Sequence, residues 1–294
     1  TGREGLGDID ISADEKYLYV TNVNDKRIYI IDIDNPSALA QSVAIPNPGC
    51  TNGVFRPFGL KVRKGKLYVG GVCDASSSTG TRNDLKAIVY SMDLSSNTFD
   101  PGTILDFPLN YYRDPAWAEG FYNPTDGTVT PGGESFVTHN RWWYPWEDTY
   151  DPLTYNVGIA PWGSLAHAHP MPILTDLEFD ENENMILGFS DLLAFQIFYA
   201  NYVPTPTTEF GLTVPVVSGG DILRAEKLNS GNYQIEPLST TVVQEFFVQD
   251  RFSGHQETTQ GGLLYLLGKN EVVTTAMDPI DFNTGGIIKL STQD

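Results

Sequence analysis

The feature that most constrains the fold is a strand that returns four times and stops each time at an acid. "YLYVTNVND", "LYVGGVCD", "MILGFSD" and "VVTTAMD" end at Asp25, Asp74, Asp191 and Asp278. When these aspartates are superposed, the flanking sequence also falls into line. Each unit has a first strand, a tight turn, a second strand that carries the aspartate, a variable loop and a third strand. The first unit reads "GDIDIS", "YLYVTNV" and "RIYIIDID"; the second reads "PFGLKV", "KLYVGGV" and "LKAIVYSMDL". The third reads "TDLEF", "NMILGFS" and "GDILRAEKL", and the fourth "GGLLYLL", "EVVTTAM" and "GGIIKLS". Outer fourth strands are expected at "QSVAIP", "TILDFPL" and "YQIEPL", and none follows the last unit.

Apolar and polar residues alternate with period two in these runs, and no window carries a helical stripe. Antiparallel units of about 40 residues plus insertions point to an all-β chain built as a β-propeller, with four recognisable blade-like repeats. A sandwich would account for the strands but not for the acid recurring in register. Residues 1–294 are read as one propeller domain with two face insertions, about 110–170 and 192–219. Either the first insertion hides a degenerate further blade, or the chain is part of a longer one.

At 294 residues and 40% hydrophobic content the chain can bury a substantial core. Its 18 basic residues face 37 acidic ones, a formal charge of −19, which argues against nucleic acid as a partner because phosphate contacts need cationic side chains. Anionic membrane surfaces are disfavoured for the same reason. The longest apolar run, "LLAFQIFYA", falls well short of the ~20 residues of a membrane span. Divalent cations suit the charge better. Cys50 and Cys73 are the two cysteines, and the composition, poor in basic residues and rich in Thr, Asn and Gly, is that of exported proteins. The chain opens without methionine, so a processed N-terminus is expected.

Cys50 precedes the first strand of the second unit and Cys73 ends its second strand, so antiparallel geometry brings both to one end of that blade. A disulfide is expected, with two free thiols as the alternative. Asp25, Asp74, Asp191 and Asp278 would lie on one face, joined there by Asp8 beside Asp25 and Asp176 beside Asp191. These six acids are candidate ligands for a hard cation, calcium above all. The competing reading is that they close Asx turns onto their own backbone or hold the next blade. No 12-residue calcium-loop signature is present.

All five tryptophans, Trp117, Trp142, Trp143, Trp146 and Trp162, fall in the first insertion. Around "RWWYPWED", Arg141, Trp142, Trp143, Tyr144 and Trp146 are candidate residues for glycan stacking or a protein contact; the alternative is a private core that seats the insertion. "HAHP" places His167 and His169 on one side of an extended segment, a weak zinc signal. "DLLAFQIFYANYVP" is an apolar loop that either caps a face or meets a partner. No nucleophile elbow, zinc-protease helix, phosphate loop or acid/base pair is recognisable, so no catalytic residue is assigned.

Taken together, "GLGDIDISADEKYLYVTNVNDKRIYIIDI", "PGCTNGVFRPFGLKVRKGKLYVGGVC", "ILTDLEFDENENMILGFSD", "DRFSGHQ" and "VVTTAMDPIDFNTGGI" resemble the propeller-like region of large bacterial surface proteins that carry SdrD B-like, Cna-B-type repeats. The resemblance covers most of the chain apart from the Trp-rich insertion, and departs from the pattern after Asp191. It implies export, cell-surface display and membership of an adhesin-like multidomain protein, it supports the Cys50–Cys73 bridge, and it brings no active site. The expectation is therefore an extracellular, non-enzymatic recognition or structural module that binds a glycan or a surface protein. Two alternatives stand beside it: a Ca²⁺-dependent propeller hydrolase or lactonase, and a self-assembling subunit of a filament or surface layer.

Overall fold

The computed structural model describes residues 4–115, 140–147, 156–159, 165–196, 201–207, 211–214, 216–247, 257, 259–277 and 285–293. Asp278, Trp117, Trp162, His139 and His255 lie outside them. The described chain is all-β, with one short helix, α1 (Leu192–Gln196), and one 3-10 turn, Arg82–Asp84.

Four antiparallel sheets follow one another along the sequence. The first is β1 (Leu6–Ile11), β2 (Tyr17–Asn22), β3 (Arg27–Asp32) and β4 (Gln41–Ala44), in that order. The second is β5 (Phe55–Arg63), β6 (Lys66–Cys73) and β7 (Lys86–Asp93), with β8 (Thr98–Phe99) and β9 (Leu105–Pro108) both on β7. Two hairpins interrupt the series, β10 (Asn156–Ile159) with β11 (Leu165–Ala168) and β14 (Asn201–Thr207) with β15 (Gly211–Val214). The third sheet is β12 (Pro172–Phe179), β13 (Met185–Asp191), β16 (Asp221–Lys227) and β17 (Tyr233–Ile235). The fourth is β18 (Thr259–Leu266), β19 (Glu271–Met277) and β20 (Gly285–Ser291).

Local chemistry explains the hairpins. Between β5 and β6 the two-residue turn Lys64–Gly65 has φ of 49° and 76°, and Arg63 pairs with Lys66 across it. This is the left-handed turn whose twist matches the strands it joins. β4, β9 and β17 form where outer strands are expected, whereas β8 and both hairpins are additions that the repeat does not announce.

Each first strand carries an irregularity at the same place: between Leu6 and Ile9, Pro57 and Leu60, Leu174 and Asp176, and Thr259 and Leu263. Backbones of successive sheets meet there. A Cβ on Gly7 would stand 2.9 Å from the Phe58 carbonyl oxygen, and one on Gly59 would stand 3.1 Å from that of Leu174. At the equivalent position in or beside the bulge the residue alternates between acid and glycine, with Asp8, Gly59, Asp176 and Gly262 in turn. Each acid serves two sheets. Asp8 accepts hydrogen bonds from its neighbour Ile9 N–H and, across the interface, from Leu60 N–H, both at 2.8 Å. Asp176 accepts from Leu177 N–H and from Leu263 N–H, both at 2.7 Å. An unpaired buried N–H is costly, so each carboxylate stabilises two bulges at once.

Apolar clusters fill the spaces between consecutive sheets. Ile28, Ile30, Leu60, Val69 and Ile88 lie between the first and second. Val89, Phe107, Leu174, Leu187 and Phe189 form the largest cluster, between the second and third. Ile186, Ile222, Tyr265 and Leu290 lie between the third and fourth. Leu192 and Leu193 of α1 are buried against the second and third sheets while Phe195 is exposed, so the start of the apolar loop acts as a cap.

Candidate metal centre

The most polar part of the interior gathers around the first residue of β16. Asp221 enters that strand after Gly219 and Gly220, and a Cβ on Gly220 would fall 1.9 Å from the Phe189 carbonyl oxygen, so the chain requires glycine to pass. This close passage leaves the Gly219 carbonyl to accept from Arg113 Nη2 at 2.6 Å. The segment after β9 supplies Tyr111 and Arg113, both buried. Tyr111 donates its hydroxyl proton to Asp221 Oδ2. Trp143 Nε1 donates to the same Tyr111 oxygen at 3.0 Å, and the Arg113 guanidinium lies 3.8 Å from the centre of the Trp143 ring.

Asp221, Glu245 and Glu257 converge here from three separate segments, each with a carboxylate oxygen within 4.8 Å of the others. Asp221 and Glu257 are 1% exposed. Glu245 is half-buried and lines a groove of about 390 Å³ with Arg224, Glu226, Gln234, Glu236 and Phe246. Glu257 Oε1 also accepts from Asp114 N–H at 3.0 Å, and Arg141 Nη1 approaches Asp114 Oδ1 at 3.5 Å.

Charge is out of balance in this region. Burial raises the pKa of Asp221, opposed first by the positive charge of Arg113, and burial with the neighbouring Asp221 charge raises that of Tyr111. Asp191, buried nearby, is raised to about 7 by burial, partly offset by N–H donors and Arg113. Arg113 Nε and Nη1, both amide atoms of Asn140 and Asp191 Oδ2 have no hydrogen-bond partner among the described residues. Two hard-ion ligands on opposite sides of a calcium at about 2.4 Å stand about 4.8 Å apart. The triad could therefore hold a metal ion, and its all-oxygen donors suit a hard one.

Of the six aspartates expected to share a cation, the five described do not form one cluster, although the Asp8 charge reaches Asp176. Asp25 is at the surface and accepts from the Tyr29 hydroxyl at 2.6 Å. Asp74 accepts from Val54 N–H at 2.7 Å and Ser76 N–H at 3.1 Å and pairs with Arg56 Nε at 2.7 Å. Asp191 accepts from Met171 N–H at 3.0 Å and Leu193 N–H at 2.9 Å. Asp8 and Asp176 sit in the bulges, not beside Asp25 and Asp191: Asp191 pairs with Pro172, while Asp176 lies opposite Gly188. Asp278 is outside the described residues. The turn-closing and blade-holding reading thus describes these acids.

The aromatic candidates divide by burial along the segment, with the buried rings three residues apart. Trp143 (0% exposed) and Trp146 (2%) point inward, and Trp146 Nε1 donates to the Pro172 carbonyl at 2.8 Å. These two belong to the core cluster between the second and third sheets, which corrects their reading as ligand contacts. Trp142, Tyr144 and Arg141 remain half-buried. His169 stacks on Tyr144 and lies 3.5 Å from Glu147. Cys50 and Cys73 form a disulfide with a Cα separation of 5.4 Å. No helix among the described residues is long and apolar enough to cross a membrane.

The arrangement defines an all-β protein with a buried acidic centre. No family model matches the chain. Over 309 residues it is 29% identical to Colossin-B of Dictyostelium discoideum, an alignment that takes in 96% of this chain but only 7% of that protein. Among solved structures, a calcium structure of a Trichoderma reesei carbohydrate-active enzyme of family AA12 aligns at 14% identity, covering 97% of this chain and 80% of that one, with a TM-score of 0.36. The PQQ-bound aldose sugar dehydrogenase of Streptomyces coelicolor aligns at 11% identity, covering 98% and 94%, with a TM-score of 0.27.

Proposed function

We propose that the chain is a β-propeller module of an exported protein and that its acidic triad holds calcium, serving a cation-dependent hydrolase or lactonase. The observation that carries this reading is the convergence of Asp221, Glu245 and Glu257 on one buried point, with Glu245 also lining the neighbouring groove. Four sheets stacked through their first strands, with the bulge at one place in each, support the propeller. The disulfide supports an oxidising compartment. The inward turn of Trp143 and Trp146 removes two of the rings on which a purely sugar-stacking module would depend.

In this scheme Asp221, Glu245 and Glu257 ligate the ion. Tyr111 holds the Asp221 carboxylate through its hydroxyl, and Trp143 fixes Tyr111 in turn. Arg113 offsets the excess negative charge and is itself positioned by the Gly219 carbonyl. A bound divalent ion supplies Lewis-acid polarisation of a carbonyl and acidifies a bound water. The test is turnover of lactone and ester substrates by chelator-treated protein with and without added Ca²⁺. Activity restored by Ca²⁺ and absent in Asp221→Asn supports the hydrolase; equal turnover without Ca²⁺ removes it.

A second reading has an observation of its own. A chain that matches 7% of a far longer protein over 96% of its own length behaves as one module of a large assembly. In that case the cation braces a surface recognition module of the adhesin-like kind, and Ca²⁺ binds without turnover.

A further inference from the structure

The outward side of the "RWWYPWED" segment carries a second arrangement, independent of the acidic centre. Arg82, in the 3-10 turn between β6 and β7, lies with its guanidinium 4.7 Å from the centre of the Trp142 ring and 5.4 Å from that of Tyr144. Tyr144 stacks in turn on His169 at 4.8 Å, and Trp142 meets Tyr112 edge-on at 5.2 Å. The rings are themselves anchored. Trp143, between them in sequence, is locked into the core by Tyr111, and Tyr144 N–H donates to the Pro170 carbonyl at 2.8 Å.

Arg82 therefore lies over the rings of both Trp142 and Tyr144. No carboxylate pairs with it among the described residues, although acids outnumber bases 37 to 18 in the chain. Cation–π contact engages the charge of the guanidinium and not its N–H fork. That fork matches a carboxylate in two parallel hydrogen bonds, and a pre-organised fork loses little freedom on binding. Beside it, the Asn83 side chain receives a hydrogen bond on its oxygen from Asn110 at 3.2 Å, which leaves its NH₂ as a further donor.

We infer that Arg82, set over the rings of Trp142 and Tyr144, forms a subsite for the carboxylate of a uronic-acid sugar. Trp142 is half-buried, so apolar ring surface borders the guanidinium. A sugar acid offers C–H groups to that surface and its carboxylate to the fork, whereas an acidic peptide side chain offers the carboxylate alone. The overall charge of −19 repels extended polyanions, so recognition here is of one local acid group and not of a polyanionic chain.

Calorimetric titration of the chelator-treated chain with methyl β-D-glucuronide, methyl β-D-glucoside and a glutamate-containing peptide tests this. The expected result is saturable binding of the glucuronide, at least tenfold tighter than the glucoside or the peptide and weakened by added salt. Arg82→Ala and Arg82→Lys should each lose tenfold or more for the glucuronide while keeping the denaturation midpoint of the parent. Equal affinity for glucuronide and glucoside in the unaltered protein overturns the inference without any variant, as does binding of the peptide alone or of neither sugar at 10 mM, a ceiling of about −2.7 kcal/mol. Retention of glucuronide affinity in Arg82→Ala would also sink it.

Discussion

Two sets of buried carboxylates can be compared directly. Asp8, Asp74, Asp176 and Asp191 spend their oxygens on backbone N–H groups, as bulge clamps or loop closures, with Arg56 on Asp74 as well. Asp221, which accepts from Tyr111, and Glu257, which accepts from Asp114 N–H, also gather with Glu245, one oxygen of each within 4.8 Å of the others. Burial is similar in both sets, so it does not distinguish them; the direction of the oxygens does. An acid that faces N–H donors has its oxygens satisfied by the fold, whereas three acids gathered on one point repel one another and are relieved by a proton or a cation.

The largest effect that would sharpen this contrast is on stability. Asp74→Ala leaves Arg56 and the Val54 N–H without their acceptor at a site that is 0% exposed. Breaking a buried pair in this way should cost about 3–5 kcal/mol, read from denaturant midpoints, with Ca²⁺ affinity unchanged in whatever fraction folds. A loss of cation affinity at constant stability would erase the distinction.

Next in size is the stabilisation conferred by calcium itself. At 100 times its Kd an ion that binds the folded chain alone adds about 2.7 kcal/mol. Thermal denaturation with Ca²⁺ against chelator should show a corresponding rise in Tm in the parent and none in Asp221→Asn. The same variant in chelator should be no less stable than the parent, since it removes one of three crowded charges.

The smallest effect concerns pH. The Asp8 pKa is raised to about 6 and that of Asp176 to about 8, first by burial and, for Asp176, next by the Asp8 charge. The folded state holds these protons more tightly than the unfolded chain, so stability is greatest below the ordinary carboxylate pKa and falls as pH rises. Both groups contribute from about pH 4 to 6 and Asp176 alone up to about 8, each with a slope approaching about 1.4 kcal/mol per pH unit. Asp176→Asn in chelator should flatten the fall between pH 6 and 8; an unaltered slope would place the titrating group elsewhere.

Much of the fold was readable because period-two alternation and turn chemistry are local. β1 to β7, the outer strands β4, β9 and β17, and the Cys50–Cys73 bridge all follow from short patterns. The acid at the end of each second strand marks the register of the repeat, and that is its main use. The metal centre was not readable in this way. Asp221, Glu245 and Glu257 come from a strand start and two irregular segments with no common spacing, and only the packed chain brings them together. Two signals did point toward it: "SGGD", whose glycines permit the close passage before Asp221, and "YYRDP", an unusually polar run directly after an outer strand. The tryptophan-rich segment misled through composition, because which rings turn inward, Trp143 and Trp146 but not Trp142 or Tyr144, depends on how the segment packs and follows no regular strand period.

The most direct measurement is calorimetric titration of the chelator-treated protein with Ca²⁺, alongside Asp221→Asn and Asp25→Asn. The expected result is one site per chain in the parent and in Asp25→Asn, with affinity lowered at least a hundredfold in Asp221→Asn. No binding in the parent, or binding that Asp221→Asn leaves intact, would contradict the assignment of the converging acids as a metal centre.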